Sequence, residues 1–326
     1  MRAFLSTLLA AIACPLAAHA QTFDSKDWQL VCDNTRTCRA AGYSVEGSPM
    51  PVSLLIARAA GPRAPVYAEL QLAEGGAHPA SVSLGSGKSA VTIRVDKDNH
   101  AVLPPAAVLA LLKTLPAGGD AVFSSGKTSW RVSAAGAFEA LQQMDEQQGR
   151  SGRTSALVRT GGGSDADVAS AMSVPRMEAT RISPQQAPDD AALVVRVLAA
   201  IQSSADCPLL DDGAAQAKGR LWHLDANRLL VTQPCQAGAD GWWLANRRPP
   251  YDAKPLTYAG EFDGVSTVIG RASGGNAGDC GKTEAWTWIG FRFEQTRAAT
   301  GGLCRGVKAG GAWELPSLVT DVVPAN

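Results

Sequence analysis

Trp28-Gln-Leu-Val-Cys32-Asp-Asn-Thr-Arg-Thr-Cys38-Arg-Ala-Ala-Gly42-Tyr43 is the stretch that decides the fold. Trp28, Leu30 and Cys32 recur at the two-residue period of a strand. Asp33-Asn34-Thr35 supplies turn chemistry, because short polar side chains bond to their own backbone. Cys38 begins the return. Phe23–Gly42 therefore reads as two strands around a turn, stapled by a Cys32–Cys38 bridge. A zinc site is the poorer reading, since the spacing is wide and no His or second Cys pair lies nearby.

The residues before the hairpin say where such a bridge forms. Met1–Ala20 carries one charge at Arg2, an apolar run from Phe4 to Ala18, and the small-x-small ending Ala18-His19-Ala20. This is the pattern of a cleaved leader, and it places the mature chain in an oxidising compartment. Cys14 leaves with the leader. Cys32, Cys38, Cys207, Cys235, Cys280 and Cys304 remain, an even set that implies a disulfide framework.

About 306 residues remain, enough for two domains with a core each. Lys+Arg and Asp+Glu are both 30, so no basic excess exists to hold nucleic acid. No later apolar run is long enough to span a membrane.

Beyond the hairpin, short β-branched runs predict strands at Val52–Ala57, Val66–Leu72, Val91–Val95, Val122-Phe123 and Ser129–Ser133. The period changes at Pro104–Leu115 and again at Ala137–Gln148, which read as helices. Gly161-Gly162-Gly163 opens a stretch rich in Gly, Ser, Asp, Gln and Pro that reaches Asp190 and reads as a linker. Asp189-Asp190 is expected to cap a helix through Ser203. The remainder is strand-like and holds six of the eight tryptophans. Hairpins are expected at Leu221–Thr232 and Tyr258–Gly270, and one long central strand at Trp286–Phe293.

The expected fold is α+β, mainly β: two disulfide-stapled domains of short antiparallel strands with a few covering helices. The leader is 1–20, the N-terminal β-rich domain with two helices 21–160, the linker 161–190, and the Trp-rich C-terminal domain 191–326. The expected pairing is Cys32–Cys38, Cys207–Cys235 and Cys280–Cys304, which keeps every bridge within a domain and joins adjacent strand or loop ends.

Two passages carry a resemblance. The first is the opening stretch itself. The second is Gly278-Asp279-Cys280-Gly281, then Trp286-Thr-Trp288, Phe291-Arg-Phe293 and Cys304-Arg305-Gly306. With Met144-Asp145 and Gln148-Gly149-Arg150, they resemble the secreted bacterial family called domain of unknown function 1176. The first half is similar, more loosely, to the invasion-associated locus B family. What the resemblance implies is a periplasmic protein without an assigned activity.

No motif names a reaction. His78, His100 and His223 lack a nucleophile elbow, and Gly85-Ser86-Gly87-Lys88 is a turn. Asp263, Asp279 and Glu284 lie near aromatic strands, as a glycosidase pair would, but the first two also fit turns. Asp206, Asp211 and Asp212 lack the spacing of a calcium loop, and no cofactor or metal is expected. Trp242 and Trp243 are adjacent, so a strand sends them to opposite faces. One is expected in the core and the other at the surface, where Arg247 and Arg248 add anion contacts.

The expected function is a non-enzymatic binding or interaction protein of the cell envelope, with an envelope protein or glycan as partner. The alternatives are an envelope glycan or peptide hydrolase and, by fold-level analogy, a lysozyme-inhibitor-like protein. Limited proteolysis of the non-reduced protein is expected to cut first between Gly161 and Asp190. Peptide mapping of the products should then return no bridge between the two halves.

Overall fold

The computed structural model describes residues 21–183, 187, 189–202, 204–216, 218–236, 238–275 and 278–324. The expected leader, 1–20, lies outside them. The opening stretch folds as β2 (Trp28–Cys32) and β3 (Cys38–Tyr43), preceded by β1 (Gln21–Ser25). Cys32 faces Cys38 across the ladder at a Cα separation of 4.0 Å, and the two are bonded. Asp33 closes the turn by accepting the N–H groups of Thr35 and Thr37 on Oδ1, while Oδ2 pairs with Arg39 at 2.9 Å.

The hairpin extends through β4 (Val52–Arg58) and β5 (Val66–Leu72). β6 (Ser81–Leu84), β7 (Val91–Arg94), β8 (His100–Val102), α1 (Pro105–Thr114), β9 (Ala121–Ser125), β10 (Thr128–Val132) and α2 (Ala137–Gln147) follow. The first sheet has the order β1-β2-β3-β4-β5-β8 and the second β10-β9-β6-β7, both antiparallel. Strands β6 and β8 were not among the expected strands.

Trp28, Leu30, Ala40, Leu54, Ile56 and Leu70 share one face of the first sheet and form the main core with α1, α2 and the second sheet. Trp28 donates its indole N–H to the Ser133 carbonyl at 2.8 Å, and its ring lies over Gly42, its cross-strand partner. A Cβ at Gly42 would sit 2.3 Å from that ring, so this position admits no side chain.

The opposite face carries Val31, Ala41, Tyr43 and Leu55, also buried. They pack against Val307, Ala312 and Leu315 from the far end of the chain. The Tyr43 hydroxyl accepts the Leu303 N–H at 3.2 Å, and Trp313 donates to Ser53 Oγ at 2.7 Å. Arg305 pairs with Asp27 and Glu46, each at 3.0 Å.

The remaining elements are β11 (Arg176–Ala179), α3 (Asp190–Leu198), β12 (Arg220–His223), β13 (Arg228–Gln236), β14 (Ala239–Asn246), β15 (Lys254–Phe262), β16 (Thr267–Gly274), β17 (Cys280–Trp288), β18 (Phe293–Thr300), β19 (Leu315–Leu318) and β20 (Asp321–Pro324). β12 to β19 form one eight-stranded antiparallel meander in chain order. Cys207–Cys235 and Cys280–Cys304 are bonded as expected. In the chain-entropy model, closing loops of this length stabilises by about 3 kcal/mol each.

Three expectations are corrected. The single strand at Trp286–Phe293 is the end of β17, a turn and the start of β18. Gly290 takes φ +91° in that turn, and Phe291 is exposed. The helix from Asp190 ends at Leu198 rather than Ser203, which lies outside the described residues. Asp189 makes no cap bond; Asp190 instead accepts the Ala187 N–H at 2.6 Å. Within 161–190, β11 pairs in parallel with β20 and Ile182 is buried beside Trp242 and Trp288. We treat 21–160 and 191–326 as two domains, a proposal that the proteolysis tests.

Burial pushes the Tyr43 phenol up to about 12, with partial relief from the Leu303 N–H, the Ser53 hydroxyl and the Arg305 charge. Between the ordinary tyrosine value of 10.0 and about 12, the folded chain holds a proton that the unfolded chain has lost. Stability conferred by the neutral phenol is therefore complete below pH 10 and declines as pH rises through that window. The loss is at most roughly 3 kcal/mol. Denaturant unfolding should show this decline in the wild type and a flatter profile in Tyr43→Phe. Equal slopes would place the phenol's titration elsewhere.

Candidate functional site

The expected aromatic anchor is not at the surface. Trp242 is 2% exposed and Trp243 is fully buried. They do point to opposite faces of β14, but both faces are covered. Trp242 packs with Leu230, Val268 and Trp288, and donates its N–H to the Gly260 carbonyl at 3.0 Å. Trp243 packs on the Cys207–Cys235 bridge and Leu210, with Tyr258 edge-on at 6.1 Å. Arg247 and Arg248 are exposed just beyond the strand. The proposed group of four is thus two core residues and two surface cations, because α3 and the 201–210 segment cover the face taken for free.

The other candidates disperse as well. His78 is exposed. His223 Nε2 lies 2.8 Å from Asp190 Oδ1 under α3, with Nδ1 buried and unpartnered. Asp263 is a turn residue: its Oδ1 takes the N–H groups of Val265, Ser266 and Thr267. Asp279 accepts the Gly306 N–H, and Glu284 holds the Gln295 amide. Asp279 clusters with Cys280 and Cys304, but both sulfurs are spent in the disulfide.

A depression of about 950 Å³ lies on the meander. Alternation along β16 and β17 builds it. Thr267, Ile269 and Arg271 face Thr287, Ala285 and Thr283, while Val268 and Trp286 take the opposite face. Threonine, alanine, Ile269 and Arg271 on one side, with aromatic residues on the other, leave a concave face of mixed polarity. The β11–β20 pair forms the far wall through Ala179, Val322 and Pro324.

Its floor is a chain of hydroxyls. Thr267 Oγ1 lies 3.0 Å from Thr287 Oγ1, which lies 3.0 Å from Thr296 Oγ1. Thr287 and Thr296 are buried, and Thr296 Oγ1 also donates to the Ala285 carbonyl at 3.4 Å, which leaves lone pairs on the chain of hydroxyls as acceptors. Arg271 pairs with Glu261 and Arg297 with Glu314. Arg181 lines the same cavity, is exposed, and has no hydrogen bond or ion pair among the described residues.

At the junction of the domains, His100 Nε2 sits 2.8 Å from Glu69 and Nδ1 3.4 Å from Asp96. Trp313 meets its ring edge-on at 6.1 Å. His100 lies on β8 opposite Gln71. The threonine face was missed. Its one signal was the alternation in Thr283-Glu-Ala-Trp-Thr-Trp288, where every second residue is small or hydroxylated.

A mainly β chain of antiparallel sheets carrying three disulfides is the class that this architecture defines. The chain matches the family model "Protein of unknown function (DUF1176)" over residues 22–320, and it belongs to that family. Among solved structures it is similar to invasion associated protein B from Bartonella henselae, at 17% identity and a TM-score of 0.29, covering 40% of this chain and 99% of that one. No curated protein matches it. Among the described residues no helix is long and apolar enough to cross a membrane.

Proposed function

We propose that this is an exported, non-enzymatic binding protein of the cell envelope, with its ligand site in the threonine-lined cavity. One observation carries the reading: a cavity of about 950 Å³ lined by hydroxyls, apolar side chains and arginines. General acid–base chemistry needs carboxyls free to exchange a proton with the ligand. Asp263 spends Oδ1 on three backbone N–H groups, and Glu314 is held by Arg297. The hydroxyls and Arg181 remain for a ligand. Three bridges and the leader pattern support an oxidising, periplasmic location.

Thr283→Trp fills the cavity from a partly exposed strand position. Wild type incubated with a soluble envelope fraction and re-purified should retain a low-mass component by mass spectrometry. The variant should lose most of it while melting within a few degrees of wild type. Recovery of the component unchanged in mass supports binding. Retention of equal amounts by both proteins moves the site elsewhere, and cleavage of the component makes the protein a hydrolase.

A further inference from the structure

The threonine-lined cavity does not end on β17. A second depression of about 230 Å³ continues along the same face toward Ser273 and Gly281, sharing Arg271, Thr283 and Glu314 with the first. A third, about 560 Å³, begins where the second ends and shares Gly310, Trp313 and Glu314 with it. The third is walled on its far side by Glu69, Asp96 and His100 of the N-terminal domain. From Thr267 to Ser273 the strand rise alone gives about 20 Å of length. The row then passes the Trp313 loop and crosses onto the other domain.

Resting on the binding reading above, we propose that this row is one groove for an extended, carboxylate-bearing carbohydrate chain. Length comes first: a row of adjoining depressions accommodates a linear polymer better than a compact ligand. The lining decides which polymer. β16, β17 and β18 are paired with one another along the groove floor, so their backbone groups are taken. A polypeptide added as a strand needs free backbone groups at a sheet edge, which this floor does not offer. What it does offer is side-chain hydroxyls, each a rotatable donor and acceptor, which is the chemistry that matches a polyol.

Trp313 supplies the other element of sugar recognition. It walls both the second and third depressions, and the bond from its N–H to Ser53 fixes the indole in place. A fixed aromatic ring presents an apolar surface to a sugar at little entropic cost. Charge adds the last constraint. Arg271 and Arg297 are matched by glutamates, whereas Arg181 has no ion pair among the described residues. One unmatched cation beside the first depression fits a carboxylate carried on the chain. At the opposite end, Glu69 and Asp96, both held by His100, and Asp98 offer acceptors to sugar hydroxyls.

Short and long oligosaccharides of hyaluronan and alginate, with neutral chito-oligosaccharides of matched length, test this by calorimetric titration. Long acidic chains should bind more tightly than short ones and more tightly than neutral chains. Arg181→Ala, an exposed change, should weaken the acidic chains about tenfold and leave the neutral ones unchanged. Trp313→Leu should weaken all of them, with its melting temperature recorded to separate lost contact from lost packing. Binding that ignores length, charge or Arg181 overturns the proposal. If Thr283→Trp abolishes retention of envelope material but neither acidic glycan binds, the cavity is a ligand site and the carbohydrate assignment is wrong. If nothing is retained and nothing binds, both readings fail.

Discussion

Burial of the first sheet on both faces is the constraint on which the rest of the molecule depends. All five residues of β2 are buried. An antiparallel sheet ordinarily keeps one face wet and alternates accordingly. Here Trp28 and Leu30 enter the core under α1 and α2, while Val31 meets Val307, Ala312 and Leu315. The second face is apolar only because the C-terminal domain returns to cover it. Fully burying each such side chain is worth roughly 1.5–3 kcal/mol, so exposing Val31, Ala41, Tyr43 and Leu55 together would be costly. Residues 303–315 are therefore coupled to the opening hairpin through one sheet. The third depression forms at the margin of that contact, where Trp313 passes over Ser53.

A second constraint is electrostatic. Arg150 is completely buried, and Asp145 and Gln148 nearly so. Arg150 bonds Gln148 Oε1 at 3.1 Å, Ser155 Oγ at 2.9 Å and the Gly61 carbonyl at 2.5 Å. The Gln148 amide in turn reaches the carbonyls of Arg36 and Arg58. Asp145 takes the N–H groups of Leu157 and Val158, and burial raises its carboxyl despite those bonds and the nearby Arg58 and Arg150 charges. A buried ion costs several kcal/mol to desolvate, and only full pairing recovers it. The outcome is positional: the chain after α2 is tied back to the loops around Arg36 and Gly61. The motif Gln148-Gly149-Arg150 is thus a structural knot that holds the end of the N-terminal domain.

How much of this was legible follows from where each signal lies. The hairpin, all three bridges and both N-terminal helices show in local sequence, because turn chemistry, cysteine parity and period are local properties. The β17–β18 turn did not show, since the apolar residues on both sides of Gly290 continue the strand pattern. Trp242 and Trp243 were misplaced for a related reason. Adjacent residues on a strand do take opposite faces, but how many faces are covered is decided by α3 and the 201–210 segment, far off in sequence. The threonine face was written plainly in residues 283–288. A hydroxylated stripe, however, reads equally as a solvated surface until the β11–β20 pair is seen to wall it.

The two faces of the meander explain each other. Trp242, Trp288 and Val268 pack on one side with Phe262 and Phe293 against them, giving the sheet a rigid hydrophobic layer. Rigidity there allows the other side to be hollow. A cavity lined by Thr287 and Thr296, buried and hydroxylated, loses the packing that apolar side chains would supply. That loss is tolerable where an adjoining aromatic layer and two disulfides hold the strands in register. The polar cavity costs stability and adds nothing to the fold. On the binding reading proposed above, the hydroxyl chain and Arg181, unpaired among the described residues, define what a ligand must satisfy.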